Sequence, residues 1–229
     1  MSVTINNRKL FLASWFAGSA DLLPDFAGED LTGKRCVFII TASRYEMSDE
    51  EREGYDKINA LDRTALENLG LVIDELDVST ATQETIESTL VSADSIFVCG
   101  GSTFYLIQEL KRKGADKLII NHIEQGKLYI GTSAGSILLQ KNIIIDEVED
   151  FTYAPDLNGD TSGLGIIDSY MYVHYGSHYF GDDDECYEKY YAHHNAIKVS
   201  DKQAAIVDGA KVELVTAPGD LQEVISWIM

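Results

Sequence analysis

Apolar positions along the chain fall into short runs, and the stretches between them carry helical spacing. Residues 8–13 and 35–40 are near-continuous apolar runs, each entered by a basic residue. Runs of that length without alternation fit strands covered on both faces. Residues 71–76, 95–99 and 128–130 are further strand candidates. Ser48 and Glu51 form a capping-box pair, each side chain able to satisfy the other's backbone N–H. They open a helix whose apolar residues Tyr55, Ile58, Leu61, Leu66 and Leu69 fall mostly on one face, with Gly70 beyond its end. Residues 83–90 predict a short helix. Ser102 and Thr103 cap another that runs to Lys113 and closes at Gly114, and a further helix ends near Gly126. Strands alternating with helices predict a mostly parallel sheet with crossover helices on both faces, a three-layer α/β sandwich. Ligands of such sheets bind at the carboxyl ends of the strands.

After residue 140 the pattern changes. Residues 151–165 are polar and turn-rich, with Pro155, Gly159, Gly163 and Gly165. They predict a long loop, either over the site or a plain surface excursion. Residues 170–174 read as a strand ending in His174. Asp182, Asp183, Asp184 and Glu185 then open a helix to about Tyr191, acidic residues suiting a helix N-terminus. Residues 196–199, 204–207, 211–215 and 223–228 predict short strands in hairpins, and Asp208-Gly209 is a two-residue turn signal. No repeat, low-complexity tract or linker interrupts the pattern, so a single domain over residues 1–229 is expected.

The chain has 229 residues, 45% of them hydrophobic, enough for one large α/β domain or two small ones. No run of about 18 apolar residues is present to span a membrane. Residues 1–9 lack the apolar core of a signal peptide. Cys36, Cys99 and Cys186 are too few and too scattered for a disulfide framework or a zinc ribbon, which fits a reducing cytoplasm. The net charge of −20 disfavours nucleic acid and anionic membranes as partners. Solubility explains the acidity, although a local basic pocket could still admit an acidic substrate.

The densest chemical signal is Gly131-Thr132-Ser133-Ala134-Gly135, between an apolar run and a helix-like run over residues 136–140. Strand, tight turn and helix with a serine at the apex is the arrangement of a nucleophile elbow, whose glycines permit close backbone approach. An ordinary Gly/Ser turn is the bland alternative. Gly100-Gly101 marks a second glycine turn at a strand end. A serine nucleophile needs a base, and the base an orienting acid. Of the five histidines, His122 falls on a helix and reads as a surface residue, and His193-His194 as a solvated pair. His174, at a strand end, is the best-placed base, or else a hydrogen-bonded strand-end histidine. His174 and His178 are four apart with Asp182–Asp184 nearby, but Gly176 interrupts and no His-Glu-x-x-His pattern is present, so no metal is expected.

These motifs resemble the peptidase E (aspartyl dipeptidase) family of serine peptidases, which includes cyanophycinase and has a class I glutamine amidotransferase-like fold. Residues 99–104 resemble the family's Gly-Gly-Asn-Thr-Phe signature, residues 129–135 its elbow, and residues 172–175 its Asn-Pro-His-Phe segment. The likeness runs from about residue 35 to 215. It implies that Ser133 attacks the peptide carbonyl and that His174 shuttles the proton. It implies an orienting carboxylate near a late Glu-Gly turn, here Asp208 before Gly209; Asp208 also reads simply as the first residue of a hairpin turn. It implies an oxyanion hole from the backbone N–H groups of Gly101 and Ala134, no cofactor, a small peptide substrate, and a monomer or homodimer. Ser102 stands at the signature asparagine, as a substrate contact or a helix cap. The family's aspartyl dipeptidases have an arginine after the histidine strand that is implied in holding the substrate's aspartate. Residues 181–190 hold four consecutive acids and no arginine, which argues against Asp-X specificity and leaves Lys189 as the candidate cation. Alternatives are a non-catalytic ligand-binding member of this fold, or a serine esterase or amidase. An α/β-hydrolase scaffold would need Asp168 or Asp182, then His193 or His194.

Overall fold

Five parallel strands form the middle of the molecule: β1 (Lys9–Ala13), β2 (Arg35–Ile39), β3 (Val72–Leu76), β4 (Ser95–Val98) and β5 (Leu128–Thr132). This is a computed structural model, describing residues 7–143, 151–177, 188 and 191–219. The sheet order is β3-β2-β4-β5-β1-β8-β9. β8 (Gln203–Asp208) pairs antiparallel with β1, and β9 (Lys211–Thr216) antiparallel with β8. Helices α1 (Leu23–Ala27), α2 (Asp49–Asn68), α3 (Gln83–Val91), α4 (Thr103–Lys113), α5 (Ala115–Glu124) and α6 (Ala134–Ile137) complete a three-layer sandwich around the mostly parallel sheet. The apolar runs mark the covered strands: β4 and β5 are buried throughout, and β2 after its first residue. β3 lies at an edge and is only partly buried, and Arg35–Asp74 and Arg63–Glu75 ion pairs line it with charge. The strand predicted to end at His174 is shorter. β6 (Tyr170–Tyr172) pairs parallel with β7 (Ala196–Lys198) in a separate two-stranded sheet, and His174 follows in the loop.

Phe16, in the loop after β1, is fully buried edge-on to Phe97 of β4, which stacks on Phe38 of β2 at 4.5 Å. Thus the chain leaving β1 turns back into the core instead of running across the surface. α2 has the expected capping box, and Leu66 of its apolar line is buried, but so are the polar Asn59 and Asp62, which lie off that line. The reason lies in what this face covers. Asn59 Nδ2 donates to Ser43 Oγ at 2.9 Å, and Asp62 Oδ1 accepts from the Ala17 N–H at 2.8 Å. Irregular backbone under a helix needs polar partners that a regular strand does not. His122 is buried and not on the surface: its Nε2 lies 3.0 Å from the Leu128 carbonyl, and burial pushes it down to about 4. Residues 151–165 pack on α4, with Phe151 stacked on Phe104 at 4.2 Å. α6 is a single turn; Gln140 has already left it to bridge Ile167.

Asp62 is fully buried, and burial pushes its carboxyl up to about 8 despite the Ala17 N–H, which pulls it down. The unfolded chain ionises an aspartate near 3.9. Its contribution to stability is therefore full below pH ~3.9 and is lost as pH rises towards 8. Asp62→Asn keeps the acceptor and cannot ionise. Melting temperatures at pH 5 and pH 8 are expected to fall further for the parent than for the variant, by about 2–4 °C per kcal/mol of penalty removed. Parallel profiles would show that Asp62 ionises in the fold without cost.

Candidate active site

β4, β5 and β1 are neighbours in the sheet and run the same way, so the turns that follow them converge on one crevice. Each supplies part of the site. β5 leads into Ser133, which adopts φ 49° and ψ −112°. A non-glycine residue rarely holds a positive φ unless its surroundings impose it. Here they do. A Cβ on Gly131 would lie 2.5 Å from the Gly135 carbonyl oxygen, and one on Gly135 would lie 2.2 Å from the Val98 carbonyl oxygen. The buried Tyr129 hydroxyl donates to the Gly135 carbonyl at 2.7 Å. The Ala13 carbonyl accepts from the Ser133 N–H at 3.1 Å and from Ser136 Oγ at 2.7 Å. Thr132 ties the elbow to the β1 loop: its hydroxyl accepts from the Phe16 N–H and donates to the Ser14 carbonyl.

The base comes from the loop after β6. His174 Nε2 lies 3.0 Å from Ser133 Oγ. His174 itself holds φ 60°. Its Nδ1 lies 2.7 Å from Asp201 Oδ1. Asp201 is buried; burial pushes its carboxyl up, but hydrogen bonds from His174, Ser177 and Ser14 outweigh this and leave it below the usual aspartate value. A buried carboxylate holding one imidazole nitrogen leaves the other as an acceptor facing the serine hydroxyl, which is the geometry of an activated serine. Ser14, the first residue past β1, donates to Asp201 Oδ1 and accepts from the His174 N–H, both at 2.7 Å.

Asp208, expected as the orienting acid, is at the wrong end of the sheet. Because β8 runs antiparallel to β1, Ala204 lies opposite Ala13 at the site and Asp208 opposite Lys9, four residues away, roughly 13 Å at a strand's rise. Asp208 closes the β8–β9 hairpin opposite Lys211 and lines a groove with Lys211 and Glu213. Asp201 precedes β8 and so sits at the site end. Sequence reasoning missed it and Ser14. Asp201's position at the crevice end of β8 is readable only once the direction of β8 is known, and Ser14 acts through contacts distant in sequence.

Gly101 lines the cleft with φ 138°, where a Cβ would lie 2.1 Å from the Ala42 carbonyl oxygen. Ala134 is the first residue of α6. Ser102 caps α4, its Oγ accepting from the Tyr105 N–H at 3.1 Å. His193 and His194 are exposed, His194 against Tyr170, and Asp168 pairs with Lys141 at the surface, so these do not form a second triad. Lys189, His178, Cys186 and Asp182–Asp184 lie outside the described residues. Among the described residues no cluster of His, Cys, Asp or Glu could hold a metal ion. The cleft has a volume of about 230 Å³. Trp15, Tyr55, Ile58 and Asn59 form its other wall. Of residues 151–165, Tyr153 packs on Tyr45, which in turn packs on Tyr55 of this wall.

The sequence profile of peptidase family S51 matches residues 11–215. An uncharacterized peptidase of Pasteurella multocida is 42% identical over 169 residues, covering 73% of this chain and 77% of its own. An uncharacterized peptidase of Listeria monocytogenes is 36% identical over 206 residues, covering 90% and 97%. The crystal structure of a candidate peptidase E protein from Listeria monocytogenes EGD-e superposes with a TM-score of 0.80 at 35% identity, over 92% of this chain and 99% of that one. With a strained serine against a histidine on a three-layer α/β scaffold, and with these relatives, the chain belongs to peptidase family S51 and is a serine-type peptidase.

Proposed function

We propose that the protein hydrolyses short peptides through an acyl-enzyme on Ser133. One observation carries the reading: Ser133 Oγ, the His174 ring and Asp201 form a continuous hydrogen-bonded line at the edge of the cleft. In the proposed reaction Ser133 Oγ adds to the carbonyl carbon of the scissile amide while His174 Nε2 accepts the hydroxyl proton. General-base assistance of this kind contributes about 10²–10⁴-fold. The oxyanion turns towards the N–H groups of Gly101 and Ala134; one such donor is worth about 10²–10³-fold. Since α6 is only four residues long, these individual N–H groups and not a helix dipole carry the stabilisation. His174 then passes its proton to the departing amine nitrogen as the C–N bond breaks. A water, giving its proton to the same imidazole, adds to the ester carbonyl; the acyl C–O bond then breaks, His174 returns that proton to Ser133 Oγ, and the carboxylic acid product leaves. Asp201 stays ionised throughout and holds the ring.

The cleft wall also bears on the substrate. Trp15, Tyr55 and Ile58 are apolar or aromatic, Asn59 is neutral, and no lysine or arginine is among the described lining residues. A substrate carboxylate there would lose hydration without gaining a counter-charge. This supports uncharged, apolar or aromatic side chains over aspartate.

A fluorophosphonate probe is expected to label the protein and not Ser133→Ala; equal labelling of both would sink the proposal. Asp201→Asn is expected to slow labelling by about 10²-fold or more through loss of ring orientation, with Asp208→Asn within twofold of the parent. The reverse ranking would return the acid's role to Asp208. In a dipeptide panel, kcat/KM for Phe-X or Leu-X is expected to exceed that for Asp-X by at least about tenfold, or about 1.4 kcal/mol. Fastest cleavage of Asp-X would overturn the substrate reading.

A further inference from the structure

Ser14 does not react in the proposed chemistry, yet it touches both groups behind the nucleophile. It is fully buried, immediately after β1. A hydroxyl has one proton to give and two lone pairs to offer. Ser14 gives its proton to Asp201 Oδ1 at 2.7 Å, the same oxygen that faces His174 Nδ1. One of its lone pairs takes the His174 backbone N–H at 2.7 Å. His174 Nδ1 itself is 3.2 Å from Ser14 Oγ. The hydroxyl therefore fixes the carboxylate and the histidine backbone at once. The backbone contact has a clear need behind it. His174 holds φ 60°, a conformation that persists only where the surroundings impose it. Ser14 is also tied to the nucleophile side, because its carbonyl accepts from the Thr132 hydroxyl.

We infer that Ser14 is a positioning residue of the Ser133–His174–Asp201 relay, clamping carboxylate, imidazole backbone and elbow in one register. The inference rests on the proposed acyl-enzyme chemistry. Without the hydroxyl, Asp201 Oδ1 loses a fixed donor and His174 loses the acceptor that holds its strained backbone. The ring then samples orientations in which Nε2 no longer meets Ser133 Oγ. Misplacement on the ångström scale costs on the order of 10²-fold in rate. A packing role alone would lower stability and leave the reactivity of the folded enzyme unchanged.

The test is the kinetics of labelling by a fluorophosphonate, read as a maximal rate and a half-saturation concentration. Ser14→Ala is expected to lower the maximal rate by about 10- to 100-fold with half-saturation within about twofold. Ser14→Thr, which keeps the hydroxyl, is expected to recover most of the rate. If Ser14→Ala does not fold, Ser14→Cys, similar in shape and a weak donor, is expected to show the same loss. A folded Ser14→Ala or Ser14→Cys that labels at the parental rate overturns the inference, as does a loss confined to half-saturation. Failure of the parent protein to label at Ser133 would instead sink the acyl-enzyme reading itself.

Discussion

Ser133 sits at φ 49° and ψ −112°, and the centre of the molecule is arranged so that it can stay there. Such a backbone costs on the order of 1–3 kcal/mol and survives only where the surroundings over-determine it. Here the surroundings are other backbones. Gly131 lies against Gly135, Gly135 against Val98 of β4, and the Ala13 carbonyl of β1 takes the Ser133 N–H. The elbow is thus pressed between the two strands that flank β5. No side chain fits in that space, which is why the motif demands glycine at both ends. The same compression presents the hydroxyl to the crevice and not to the sheet.

Much of this was legible in the sequence, and for a physical reason. Strands covered on both faces must be continuously apolar, so their number and order along the chain could be read directly. Capping residues mark helix ends because end groups need partners, and Ser48, Ser102 and Gly114 stand where expected. The glycines of the elbow are obligatory, so residues 131–135 announced themselves. His174 was found by its place at a predicted strand end, although that strand proved to belong to the small second sheet.

What was not legible depends on tertiary direction. Asp208 and Asp201 stand at opposite ends of one strand, and nothing local says which end faces the crevice. Only the antiparallel pairing of β8 with β1 decides it. The Asp-Gly turn signal was genuine, but it described a hairpin at the far edge. Likewise, nothing in the apolar pattern of α2 marks Asn59 and Asp62 as buried. They are buried because the loops beneath that helix need partners for Ser43 and Ala17. Ser14 has no sequence signature, since its role comes from contacts at separations of 160 and 187 residues.

Those separations have a consequence for when the chemistry exists. The hydrogen-bonded line joins positions 14, 133, 174 and 201, and no subset of neighbouring elements contains more than a fragment of it. β8 pairs with the first strand of the chain, so Asp201 reaches its place only after the C-terminal part docks on the N-terminal part. Contacts of such long range must repay the entropy of closing the loop between them. A chain in which β8 has not docked on β1 holds Ser133 without Asp201 beside His174. The complete line is a property of the finished sheet and of no single segment, so it is lost whenever β8 leaves β1.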